Sequence, residues 1–301
     1  MVSAATSTTS GDAFDASNIA PAPFKAGMVR FRRPRVLFAL VAREMATSYG
    51  KSYGGYFWAI AQPVGGVFLL AILFSLALRA PPLGTSFLLF YASGTIPYQL
   101  FKATSSATAR AVKSNSGLLT YSVVTTLDAI FAKYIFSVVT MFLISLVLYP
   151  TVILFFHVPV NLDLGAITVA FFLSSLLGLG VGTLNCVLFG FFPTWNNIWR
   201  VLTRPLFFLS GVLFLYESMP PVVQRVLWWN PVVHVISLMR SGFYSEYDPQ
   251  FISYPYVIGI SYRLSPENAH TLLTDLRGML DAAGLLGRKR IFFGGTPPVA
   301  A

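Results

Sequence analysis

Residues 129–156 read AIFAKYIFSVVTMFLISLVLYPTVILFF, an apolar run with a single charge, Lys133, near its start. A helix needs about 20 predominantly apolar residues to cross the hydrocarbon core of a bilayer, and this run exceeds that length. Only a helix satisfies the backbone of such a segment from within itself in lipid. The same signal recurs on both sides. Upstream, residues 57–79 form a first span, with Pro63 and the Gly65-Gly66 pair inside it. A second span over 85–102 contains Pro97 and is short. Residues 103–127 are small and polar and carry Arg110 and Lys113, so a loop or amphipathic helices are expected there. Downstream, residues 157–164 make a turn without Lys or Arg. A fourth span covers 165–191, where Gly178, Gly180 and Gly182 permit close helix packing. A fifth is expected over 201–216.

Composition agrees. Of 301 residues, 55% are hydrophobic and 11% charged, against about 25% charged in a soluble domain. Mean hydropathy is +0.67. The net charge of +10 does not point to nucleic acid, because the cations fall between apolar stretches. One cysteine, Cys186, excludes an internal disulfide. His157, His234 and His270 are too far apart in sequence to suggest a metal site. No cleavable signal peptide is expected, and residues 1–28 read as a disordered tail.

Cations set the orientation. Lys25, Arg30, Arg32, Arg33, Arg35, Arg43 and Lys51 crowd the N-terminal region. Within it, residues 35–49 have apolar positions at helical spacing and too much charge to span, which suits a helix lying in the interface. With the N-terminus in the cytoplasm, residues 1–250 place 13 Lys and Arg inside and 3 outside, as the positive-inside rule requires. Residues 217–250 hold Pro220-Pro221, Trp228-Trp229 and Asn230-Pro231. They read as two short helices or a re-entrant element at the outer interface, the depth that tryptophan favours.

Catalytic machinery is not visible. Gly50-Lys51-Ser52 resembles the end of a P-loop, but Met45 stands where the earlier glycine is required. The glycines at 178, 180 and 182 follow no strand and are packing residues. Few ionisable residues lie within the spans, which argues against an ion-coupled carrier. Asp128 and Lys133 at the inner end of a span are explained by a structural salt bridge or by snorkelling, and Glu217 at an outer end is read as structural too. The abundant aromatics suit interface anchoring and helix packing, or rings lining a pore on which sugar faces stack.

Three segments carry a family resemblance: YGGYFWAIAQP at 53–63, TRPLFFLSG at 203–211 and WNPVVHVISLMRSGF at 229–243. Together they resemble the membrane subunits of ABC-2 type exporters, closest to capsular-polysaccharide and O-antigen export permeases. The resemblance implies an all-α polytopic inner-membrane protein of a bacterium. It implies about six transmembrane helices, both termini cytoplasmic, an N-terminal interfacial helix and outer re-entrant or gate helices, with the transmembrane domain over 29–262. It implies a homodimer moving a lipid-linked polysaccharide, served by two copies of a separate ATPase that holds the ATP and Mg. This chain itself is expected to carry no catalytic residue, metal or cofactor. Channel or gate contacts fall on Trp58, Gln62, Phe207, Phe208, Trp228, Trp229, Asn230, His234 and Arg240. Arg43, Lys51, Arg110 and Lys113 lie in the elements expected to face the ATPase. Residues 263–301 depart from the family pattern, because the last apolar run, 251–262, breaks at Arg263 after twelve residues. An ABC-2 exporter of a drug or small lipid is the alternative. An ion-coupled carrier or membrane-embedded enzyme is a more distant one.

Overall fold

The computed structural model describes residues 32–49, 54–115, 126–158, 161–192 and 194–264. The expectations for the 1–28 tail, for Lys51 and for nearly all of the 263–301 tail lie outside these residues. Those described are helical and contain no strand. In chain order they form α1 (Arg32–Tyr49), α2 (Gly55–Ala77), α3 (Phe87–Ala109), α4 (Ala111–Ser114), α5 (Thr126–Phe155), α6 (Leu164–Phe191), α7 (Trp195–Leu209), a 3₁₀ turn (Tyr216–Ser218), α8 (Pro221–Leu227), α9 (Pro231–Phe243) and α10 (Tyr254–Arg263). Among the described residues α2, α5 and α6 are long and apolar enough to cross a membrane. The chain is an all-α polytopic membrane protein.

Helix α3 is the axis of the bundle. Leu89, Phe90, Tyr91, Ala92, Ile96 and Leu100 are fully buried against Leu148 and Val152 of α5, Ala170 and Leu173 of α6, and Val235, Met239 and Phe243 of α9. This explains why 85–102 looked short. The helix is solvated by protein rather than lipid, so its lower half can be polar. It continues through 103–109, where a loop or separate amphipathic helices were expected. The buried hydroxyls of that half are satisfied within the helix: Thr104 donates to the Leu100 carbonyl at 2.6 Å and Thr108 to that of Thr104 at 2.8 Å. Opposite them stand Gly178 and Gly182 of α6. A Cβ at 178 would lie 3.0 Å from the Phe101 carbonyl oxygen, and one at 182 would lie 2.8 Å from that of Ser105. The glycine stripe therefore sets how closely α3 and α6 approach. Ser174 adds a hydrogen bond from α6 to the Pro97 carbonyl at 2.6 Å.

Helix α1 lies along the base of α5, joined to it by an ion pair between Glu44 and Lys133. The salt bridge considered for Lys133 thus exists, with a partner 89 residues upstream.

The fifth span departs from expectation. Helix α7 occupies Trp195–Leu209 and stops after 15 residues, about 22 Å at 1.5 Å per residue and short of a 30 Å hydrocarbon core. Ser210 and Gly211 end it, Gly211 at φ +73°, a left-handed conformation that glycine adopts without strain. The chain then folds back through α8 and α9. Val232 and Ile236 at the start of α9 pack with Tyr98 and Leu177, at the middles of α3 and α6. Its other end reaches the start of α6, where the Asp163 N–H donates to the Gly242 carbonyl at 2.9 Å. Helix α9 thus begins at mid-depth, and the Trp228-Trp229 pair lies closer to the middle of the bundle than to the outer interface where it was expected. Helix α10 is seated on α6, where Thr183 donates to the Leu264 carbonyl at 2.6 Å.

Candidate conduit and gate

The break between α7 and α9 is built around Asn230. Its Oδ1 accepts from the Val232 N–H at 3.1 Å, capping α9, while Pro231 fills the first helical position, where a missing N–H costs nothing. The same amide donates through Nδ2 to the Leu209 carbonyl at 3.0 Å and the Ser210 hydroxyl at 3.3 Å. One side chain therefore starts one half-helix and ties down the end of another. Interrupted helices at membrane depth are tolerated where protein or a cavity surrounds them.

Arg240 fixes the returning loop. It sits three turns along α9 and is 1% exposed. Its guanidinium donates to the Phe214 carbonyl at 3.0 Å and the Val212 carbonyl at 2.9 Å, and lies 4.1 Å above the centre of the Phe90 ring. The planar fork suits two carbonyls and a ring face together, and the ring quadrupole attracts the cation. Gly94 makes room, since a Cβ there would lie 3.0 Å from the guanidinium.

His234, one turn into α9, is 1% exposed. Its Nδ1 accepts from the Ser253 N–H at 3.4 Å, which assigns the proton to Nε2, donating to the Trp228 carbonyl at 2.8 Å. Aromatic rings surround it. Trp228 stacks on Tyr256 at 5.2 Å, Tyr216 stacks on Phe251 at 3.9 Å, and the imidazole stands 5.5 Å from both Phe251 and Tyr256. Tyr256 also donates to the Trp229 carbonyl at 2.6 Å. Phe251 and Tyr256 were not singled out in sequence, because nothing local marks an aromatic that closes a cluster from a distant element.

The other sequence-derived positions face outward. Trp58 is 67% exposed on the first turn of α2, and Gln62 lies one turn further on the same side. Leu69, Leu73 and Leu76 continue that exposed stripe. On α7, Phe208 is exposed, whereas Phe207 is half-buried edge-on to Tyr98 at 5.1 Å. Tyr98 in turn donates to the Thr203 carbonyl at 3.0 Å. No residue of α7 is buried within the chain. Trp229 is exposed beside half-buried Trp228.

At the opposite end, Arg43 donates to Asn115 Oδ1 at 3.1 Å. Asn115 closes α4, so α1 and α4 are joined there, and Lys113 of α4 is exposed nearby. Arg110 is exposed at the junction of α3 and α4. Among the described residues no group of three His, Cys, Asp or Glu side chains converges on a possible metal position.

Such a bundle, with its long apolar helices and its broken helix, corresponds to a membrane transporter subunit. Residues 35–244 match the ABC-2 type transporter family, and the chain belongs to that family. Among curated proteins it is similar to the polysialic acid transport protein KpsM of Escherichia coli, 30% identical over 73% of this chain and 85% of the relative. It is also similar to the capsule polysaccharide export inner-membrane protein CtrC of Neisseria meningitidis (26%, covering 70% and 80%) and to BexB of Haemophilus influenzae, which bears the same description (24%, covering 70% and 80%).

Proposed function

We propose that this chain is the membrane-spanning permease subunit of an ATP-driven exporter that carries a polysaccharide, lipid-linked and of capsule or O-antigen type, across the inner membrane of a bacterium. The observation that carries the reading is similarity to capsule and polysialic acid export proteins over more than two thirds of both chains. The site supports it. The C–H faces of a glycan can stack on aromatic faces without charged sites, and the α7–α9 break gathers such rings at mid-depth.

In this reading the chain acts as a homodimer. The exposed stripe of α2 and the unburied α7 face the second copy and border the conduit, placing Trp58, Gln62, Phe207 and Phe208 along it. Trp228, Trp229 and Asn230 form its constriction, which His234 and Arg240 brace from behind. The N-terminus is cytoplasmic. Arg43, Lys51, Arg110 and Lys113 face two copies of a separate ATPase, which binds the ATP and Mg and supplies the energy. The chain itself is not an enzyme. Its task is to hold the conduit and to pass motion from the α1–α4 end to the α7–α9 break.

The test is made in a host strain lacking the gene, with surface and intracellular polysaccharide measured before and after the gene is restored. Loss of surface glycan with intracellular accumulation, both reversed on restoration, is the expected result. Unchanged glycan in both compartments overturns the reading.

A further inference from the structure

Near the end of the bundle remote from α1, a cleft of about 380 Å³ lies between α2, the start of α3 and residues 156–158, which follow α5. Phe68, Ala71, Ile72 and Ser75 of α2 line one side, Phe87 and Leu88 of α3 the floor, and Phe156 just beyond α5 the other side. Its volume falls in the range of ligand sites, roughly 300–1,000 Å³. We infer that this cleft holds one acyl chain of a membrane phospholipid from the leaflet remote from α1, inserted as a wedge between α2 and the segment that follows α5.

Three observations carry the inference. First, the cleft walls are continuous with the lipid-facing surface. Ile72 is 57% and Phe156 54% exposed, and neighbouring Phe155 is exposed as well. In a chain that spans a bilayer, these side chains stand in hydrocarbon, so an opening among them admits hydrocarbon. Second, the hydroxyls in the walls are already satisfied locally. Ser75 donates to the Ile72 carbonyl at 2.9 Å, and Ser86 accepts from the Leu89 N–H at 3.4 Å as the α3 cap. What remains toward the interior is ring and methyl surface, which suits a chain and gives a water too few partners. Third, polarity is confined to one rim. Thr85 precedes the first turn of α3 and His157 follows the last turn of α5. That is the headgroup level, so the chain enters with its ester end at Thr85 and His157 and its methyl end toward Phe68.

The experiment uses the full-length protein reconstituted in vesicles of phosphatidylcholine and phosphatidylglycerol containing a phosphatidylcholine with a diazirine on its acyl chain. After photolysis, labelled residues are mapped by mass spectrometry. Expected is labelling of Phe68, Ile72 and Phe87 several-fold above that of Leu143 and Leu146, which face outward from α5. The Ser75→Trp variant fills the cleft from an exposed position. It is expected to abolish the excess in the cleft while leaving Leu143 and Leu146 labelled as before. Equal labelling at cleft and outward positions, unaffected by Ser75→Trp, overturns the inference in favour of ordinary boundary lipid. Labelled outward residues with an unlabelled cleft overturn it in favour of a protein segment or second copy as occupant.

Discussion

Lys133 of α5 is ion-paired with Glu44 of α1, and the two side chains are only 16% and 14% exposed. The next residue back, Arg43, bonds Asn115. Adjacent positions of one interfacial helix therefore hold the two flanks of the 116–125 connection. Removing one member of the pair strands the other in a poorly solvated place. Lys133→Ala is expected to cost about 1.5–3 kcal/mol of stability, the usual worth of a hydrogen bond to a charged group. The exchange Glu44→Lys with Lys133→Glu should recover most of it. Thermal unfolding of the purified variants decides. No recovery in the exchange would mean that the pair is incidental to the α1–α5 packing.

Arg240 bonds two carbonyls with separate nitrogens while lying over Phe90. Lysine offers a point charge without a planar fork. Arg240→Lys should therefore behave almost like Arg240→Met, each losing about 2–3 kcal/mol through broken charged hydrogen bonds and loosening the 212–214 loop. Limited proteolysis of that loop, followed alongside thermal unfolding, is the measurement. A fully stable lysine variant would show that charge alone is needed there.

Several features were legible from local chemistry. Long apolar runs placed α2, α5 and α6 within a few residues, because lipid selects for apolar composition directly. The helix over 35–49 was equally plain from the helical spacing of its apolar positions. Helix α3 was clipped because burial in protein permits Thr104, Ser105 and Thr108, which hydropathy scores as loop. The fifth span was misjudged because Phe207 to Phe214 stay apolar across the Ser210-Gly211 break. Only the tie from Asn230 back to Leu209 reveals that the chain turns there. Arg240 and His234 were marked by their segment, yet their partners Phe214, Val212, Trp228 and Ser253 were not legible. The short helices of 217–250 were legible from their Pro and Asn-Pro breaks, but not the surfaces of α3 and α6 against which α9 folds back.

Gly182 tests the α3–α6 seam. A methyl group there meets the Thr108 side chain and, at 2.8 Å, the Ser105 carbonyl oxygen. Overpacking of this kind costs about 1–3 kcal/mol. Thr108→Ala in the same chain relieves the side-chain clash but not the carbonyl contact, so only partial rescue of Gly182→Ala is expected. Complete rescue, read from the melting temperatures of the single and double variants, would mean that the backbones are free to part.

Asn230 allows its two roles to be separated. Asn230→Asp keeps an oxygen for the Val232 N–H and adds negative charge at a helix N-terminus, where it is favourable. It removes the two amide donations to Leu209 and Ser210 and sets a carboxylate oxygen against a carbonyl. Asn230→Ala removes the cap as well, typically about 1 kcal/mol. The aspartate variant should therefore unfold close to the unmodified protein yet restore little surface glycan to a strain lacking the gene. The alanine variant should be deficient in both. Full export by Asn230→Asp would show that capping α9 is the whole contribution of Asn230, and that the end of α7 needs no anchor at the break.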